Sequence, residues 1–218
     1  MYNIMSENNK EYSDEFILNC RKPVGELGAQ VVHNMNKSHE KIALWGLDHL
    51  DVGENDVILD VGCGGGVNIE RFTDKTNGKV YGIDYSEVSV AESTKHNQEK
   101  IEEGQVEILS GSVSDLPFDD ETFNIVSGFE TIYFWPDLVN DFREIHRVLK
   151  KDGVIFICNG DKKDENLMDR MGDVVNLLDM TVLSEKELHD LLEEAGFTDI
   201  EVYTSNDTNY ICAIGRKK

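Results

Sequence analysis

The run Val57-Ile58-Leu59-Asp60-Val61 leads straight into Gly62-Cys63-Gly64-Gly65-Gly66, after which Val67, Ile69 and Phe72 recur at helical spacing. Strand, glycine turn and helix in direct succession belong to few architectures. Glycine takes left-handed backbone angles without a Cβ penalty and lets the main chain approach a ligand closely. The helix that follows then turns backbone N–H groups toward whatever rests on the loop. On its own, such a loop is compatible with any α/β protein and with several nucleotide ligands.

The rest of the chain repeats the alternation. Strands are expected at 57–61, 79–84, 105–110, 123–128 and 153–159, each followed by a helix or helical turn, the pattern of a parallel sheet wrapped by crossover helices. Ser86 is placed to cap a helix running to Glu103. Between Asp137 and Lys150, Leu138, Phe142, Ile145 and Val148 recur at helical spacing, and Lys150-Lys151-Asp152-Gly153 supplies a cationic end and a stop. Ser184 and Glu187 form a capping box ahead of Leu188, Leu191, Leu192 and Ala195, and Gly196 ends that helix. The runs IEVYTS and NYICAIG, joined through Asn206-Asp207, predict an antiparallel hairpin that completes the sheet. Residues 160–172 read as a polar surface loop leading into a helix.

At 218 residues the chain fits one large core better than two. Residues 51–218 carry the α/β pattern. Residues 1–50 show no strand signal, only helices near 25–36 and 38–50, and form a helical appendage. Ligands in doubly wound sheets bind outside the carboxyl ends of the strands, where such an appendage can serve as a lid.

Lys and Arg number 21 against 43 for Asp and Glu, a formal charge of -22 that repels nucleic-acid backbones and anionic membranes. Cys20, Cys63, Cys158 and Cys212 are scattered singly, with no spacing suited to zinc, so free thiols and no metal are expected. No stretch approaches the roughly 20 apolar residues that span a bilayer, and the first residues lack a basic start followed by an apolar run. A cytoplasmic monomer or homodimer is the expectation.

Two details narrow the ligand. The dinucleotide fingerprint requires Gly or Ala where this loop has Val67. The next strand, Val80-Tyr81-Gly82-Ile83-Asp84, ends on a carboxylate suited to accepting hydrogen bonds from ribose hydroxyls. A nicotinamide-dependent oxidoreductase stays open at this point, though opposed by Val67.

In order and spacing, DVGCGGG, GIDYS, LPFDDETFNIV and FREIHRVLKKDGVIFI resemble the class I S-adenosylmethionine-dependent methyltransferases, nearest to their small-molecule, quinone-biosynthesis or "type 11" branch. The resemblance covers roughly residues 40 to 215. It implies a Rossmann-like, doubly wound, seven-stranded sheet with the last strand antiparallel, S-adenosylmethionine as cofactor and a small-molecule methyl acceptor. It also implies roles: Asp60 orienting the methionine amino group, Gly62, Cys63 and Gly64 making backbone contacts, Asp84 holding the ribose and Tyr85 lying on the adenine. Many relatives carry an Asp after the third strand; here Ser112 and Val113 stand in that loop and are the candidate adenine contacts.

The substrate pocket is expected beyond the fourth strand, at Glu130 and the aromatic run Tyr133, Phe134 and Trp135, suited to an apolar or cationic acceptor. Glu130 has two expected duties, a contact to the methionine end or a base for the acceptor. His33 and His39, in the lid, are further candidate bases, since a histidine titrates near neutrality. Methyl transfer from a sulfonium requires chiefly alignment, so a base is optional. His146 and Trp45 read as structural. A protein that binds the cofactor without turnover is the alternative from another class.

Overall fold

The computed structural model describes residues 12–218. Seven strands make one sheet: β1 Ile58–Val61, β2 Val80–Asp84, β3 Val106–Ser110, β4 Phe123–Phe129, β5 Leu149–Asn159, β6 Thr198–Thr204 and β7 Ile211–Arg216. Their order is β3-β2-β1-β4-β5-β7-β6, all parallel except β7, which runs antiparallel to both β5 and β6. This is the doubly wound sheet, with its reversed strand, that the motifs imply. β1 lies at its centre and is buried at every residue. Ile58 enters one core cluster, while Leu59 and Val61 enter the other. Alternation across two covered faces explains why the run is apolar throughout.

Nine helices flank the sheet among the described residues: α1 Asp14–Arg21, α2 Gly25–Ser38, α3 Glu40–Leu47, α4 Val67–Thr73, α5 Glu87–His96, α6 Gln98–Glu102, α7 Leu138–Val148, α8 Leu167–Leu178 and α9 Glu185–Glu194. Ser86 caps α5, and both halves of the capping box at Ser184 and Glu187 are made. The amphipathic α7 turns Phe142, Ile145 and Val148 inward.

The differences from the sequence reading have local causes. The helix expected over 86–103 breaks at Asn97, whose Nδ2 donates to the Gly66 carbonyl at 3.1 Å and so ties the break to the glycine loop. β5 starts at Leu149 rather than 153, because Leu149 pairs with Phe123 ahead of a bulge. α8 begins at Leu167, inside the stretch read as loop. α1 carried no sequence signal; Phe16, Ile17 and Cys20 join a cluster with Met171 and Leu178, so tertiary packing makes that helix.

Side chains after β2 tie the elbow between α1 and α2 to the sheet. Tyr85 Oη donates to the Arg21 carbonyl, and Ser86 Oγ donates to the Pro23 carbonyl at 2.7 Å. Arg21 Nη1 reaches the Leu178 carbonyl at 2.9 Å. The helices of residues 12–50 are therefore held at the carboxyl end of β2; residues 1–11 of the appendage lie outside the described residues. Trp45 packs with His49 and Tyr210 in a cluster beside the sheet, as its structural reading expected.

Candidate active site

Strand order reverses on either side of β1, which has β2 on one flank and β4 on the other. The crevice outside their carboxyl ends is a cavity of about 320 Å³, within the roughly 300–1,000 Å³ of small-ligand sites. Its floor is the glycine loop. Gly62, Gly64 and Gly66 all have positive φ, and a Cβ at Gly62 would collide with Thr131 Oγ1. At Gly64 a Cβ would meet nothing within 4 Å, so the loop is bare toward the cavity there. The N–H groups of Gly62 and Cys63 donate to the Ile83 carbonyl at 2.8 and 3.1 Å, and that of Gly64 to Asp84 Oδ2 at 3.0 Å. These three residues thus present shape and carbonyl oxygens more than spare donors.

Two buried carboxylates flank the loop. Asp84 accepts from Ser86 N at 2.8 Å on one oxygen and from Gly64 N on the other, and the Ser89 side chain and Tyr85 backbone also favour its charged form. Burial raises its pKa, and the backbone hydrogen bonds oppose the rise. Asp60 lies beneath the loop and does not line the cavity. Burial pushes its carboxyl up to about 7, while Ser127 Oγ, donating at 2.7 Å, pulls the other way.

On the β2–β3 side the cavity is walled by Ile83, Gly111, Ser112 and Val113. Tyr85 stands at the rim, 42% exposed, with Lys22 Nζ 5.1 Å from its ring centre. Ser112 is exposed and its Oγ accepts from Ser114 N at 3.3 Å, whereas Val113 is buried.

The roof comes from residues 20–43 and the end of β4. Cys20, Met35, Asn36, His39 and Ile42 face Phe129, Glu130, Phe134 and Trp135 across the cavity. Trp135 Nε1 donates to Thr131 Oγ1 at 3.2 Å, which fixes the indole beside the loop. Glu130 holds a left-handed backbone at φ 58°, is buried, and accepts from Gly160 N. His39 Nε2 lies 3.8 Å from Glu130 Oε2. It has no hydrogen-bond partner among the described residues. Burial lowers the His39 pKa to about 4 against the pull of Glu130, so the ring is neutral near pH 7.

Besides Asp60, two expected residues are not brought to this cavity. Tyr133 turns away: its Oη accepts from Asp161 N at 3.0 Å and donates to the Asp161 carbonyl, because the 3₁₀ turn at Ile132–Phe134 directs it into the cluster beneath α8. His33 is exposed on the outer face of α2, opposite the buried Val31 and Val32. Conversely, Asn36 and Arg71 line the cavity without having been singled out. The helical spacing of Val67, Asn68 and Arg71 after the loop was the available signal for Arg71. No group of three His, Cys, Asp or Glu suited to a metal occurs among the described residues.

The floor thus combines a bare glycine loop, a strand-end carboxylate beside it and a second buried acid below. Residues 59–157 match the family described as a methyltransferase domain. Over 112 residues the chain is 37% identical to YrhH of Bacillus subtilis, a protein named as a methyltransferase, covering 51% of this chain and 61% of that one. It is 34% identical over 111 residues to the demethylmenaquinone methyltransferase of Bacillus mycoides, covering 50% and 46%. A chain of the Haloferax volcanii complex between the Trm112 methyltransferase activator and a methyltransferase shares the fold, with TM-score 0.76 at 21% identity over 87% of this chain and 94% of that one. The chain spans less than two thirds of the length of the relatives it matches. Residues 59–157 are therefore similar to a methyltransferase domain, and the chain around them to proteins named as methyltransferases. The match favours methyl transfer over the nicotinamide alternative. No helix among the described residues is long and apolar enough to cross a membrane.

Proposed function

We propose that this protein transfers the methyl group of S-adenosylmethionine to a small, largely apolar acceptor by in-line displacement. The observation that carries this reading is the convergence, on one cavity, of the glycine loop and Asp84 from below with an apolar and aromatic roof from above. When bound, the sulfonium supplies an activated methyl carbon.

Asp84 accepts from the ribose hydroxyls, Tyr85 lies against the adenine, and Ser112 and Val113 meet its edge. Gly62, Cys63 and Gly64 shape the seat of the methionine end. Asp60 acts from beneath the loop through its charge. Phe134 and Trp135 exclude water and hold the acceptor, while Tyr133 supports that wall from behind through Asp161. His39 takes a proton from an acceptor hydroxyl at Nε2, and Glu130 stabilises the imidazolium that results. His33, exposed on α2, takes no part.

Residues 1–50 act as the lid over residues 51–218. The charge of -22 supports a freely diffusing cytoplasmic protein, monomer or homodimer, that takes no nucleic acid. The Bacillus mycoides relative is named for demethylmenaquinone, which makes that quinone the first acceptor to try. Calorimetry with S-adenosylmethionine and S-adenosylhomocysteine, followed by a labelled-methyl transfer assay, tests the reading. Saturable binding of both and label in the acceptor are expected. No binding by folded protein overturns it, and binding without turnover on any apolar acceptor leaves a non-catalytic binder.

A further inference from the structure

Charge is unevenly spent around the cavity. The floor is acidic, with Asp84 lining it and Asp60 below, and Glu130 adds a carboxylate at the wall. That environment suits the ammonium of an amino acid and repels its carboxylate. Among the described residues two arginines line the cavity, Arg21 and Arg71, and no lysine does. Arg21 is committed: its Nη1 donates to the Leu178 carbonyl at 2.9 Å, and Asp179 lies 4.0 Å away.

Arg71 differs. It sits one helical turn beyond Val67 on α4, so that Val67, Asn68 and Arg71 present one face to the cavity. It is half-buried, and its one hydrogen bond is from Nη1 to Asn68 Oδ1 at 2.6 Å. Among the described residues no carboxylate lies within 4.0 Å of it, in a chain where acids outnumber bases 43 to 21. Asp60 from below, Glu70 on its own helix and Glu40 from α3 attract the guanidinium from farther off. A half-buried fork of donors with one neutral partner, facing a cavity, is shaped for a ligand carboxylate.

We infer that Arg71 receives the carboxylate of the cofactor's methionine end, with Asn68 holding the guanidinium in place. This rests on the cofactor assignment above. The methionine end is then read as a zwitterion, its ammonium on the acidic side of the loop and its carboxylate against α4. In a surface this acidic, Arg71 distinguishes the intact cofactor from any adenosine thioether lacking the carboxylate.

The test is calorimetry on wild type, Arg71→Gln and Arg71→Lys with two ligands: S-adenosylhomocysteine and its decarboxylated counterpart, which differ by the carboxylate alone. For Arg71→Gln the expected result is roughly ten- to a hundred-fold weaker binding of S-adenosylhomocysteine, the range for a lost charge-assisted pair. The decarboxylated ligand should change by less than about twofold. Arg71→Lys, which keeps the charge, should recover part of the loss and covers the case in which the glutamine variant fails to fold. Equal weakening of both ligands would make Arg71 a structural tie between α4 and α3, and unchanged binding of S-adenosylhomocysteine would remove it from the site. Either overturns the inference. Wild type binding neither ligand overturns the cofactor assignment itself, and this inference with it.

Discussion

The floor and the roof of the cavity are built on different principles. The floor is backbone: three left-handed glycines, carbonyls fixed by the register of β1 against β2, and one strand-end carboxylate that both braces the loop and faces the cavity. The roof is side chains on short helices, tied to the sheet by a few hydrogen bonds to the carbonyls of Arg21 and Pro23. A backbone floor leaves no room for a Cβ at Gly62, Gly65 or Gly66, where side chains already stand. A side-chain roof can be rebuilt residue by residue without disturbing the floor.

Gly62→Ala tests the rigidity of the floor most severely. The new Cβ meets Thr131 Oγ1 at a φ of 71°, so both a clash and backbone strain are introduced. A loss of about 2–4 kcal/mol in unfolding free energy is expected, measured by urea titration. A loss under about 1 kcal/mol would show that the loop yields, and the contrast with the roof would fail.

Asp84→Ala should follow, weakening S-adenosylmethionine by about 1–3 kcal/mol, the range for a charge-assisted hydrogen bond. Because Asp84 Oδ2 also accepts from Gly64 N, a stability loss is expected alongside. Affinity unchanged in calorimetry would refute the ribose assignment.

Asp60 sharpens the comparison through pH. Its folded-state pKa of about 7 lies above the ordinary 3.8, so between those values the folded chain keeps a proton that the unfolded chain has released. Stability therefore falls as pH rises through that window. Asp60→Asn removes the ionisation and keeps an acceptor for Ser127. It should gain about 1–2 kcal/mol at pH 8 and nothing near pH 4, read from denaturation curves at both. A gain independent of pH would mean that the carboxylate is not strained by burial.

The same division explains what was legible in the sequence. The floor lies in consecutive residues, Asp60 to Gly66 with Asp84 at the end of the next strand, so local spacing was enough to place it. The sheet followed, because β-branched runs and caps such as Ser86 and Ser184 are also local signals. The roof depends on which face of a helix meets the cavity. Tyr133 and Phe134 are adjacent, yet one 3₁₀ turn sends the first to Asp161 and the second to the cavity. His33 and His39 share a segment, yet only the second falls on the inner face. Helix α1 left no mark, since its partners, Met171 and Leu178, lie some 150 residues away and supply the packing that its own sequence lacks.

The smallest expected effect tests whether the roof moves as a lid. Tyr85→Phe deletes the hydroxyl that donates to the Arg21 carbonyl, while Ser86 Oγ still holds the Pro23 carbonyl. One hydrogen bond at a half-exposed site contributes about 0.5–1.5 kcal/mol, so global stability should barely change. Amide exchange in α1 should instead quicken a few-fold, and S-adenosylhomocysteine should dissociate faster by a similar factor, since both report opening of the same elbow. Faster exchange with unchanged dissociation would mean that α1 opens without uncovering the cofactor. The roof would then be a fixed wall, and the way in would have to lie elsewhere, past the open rim at Ser112.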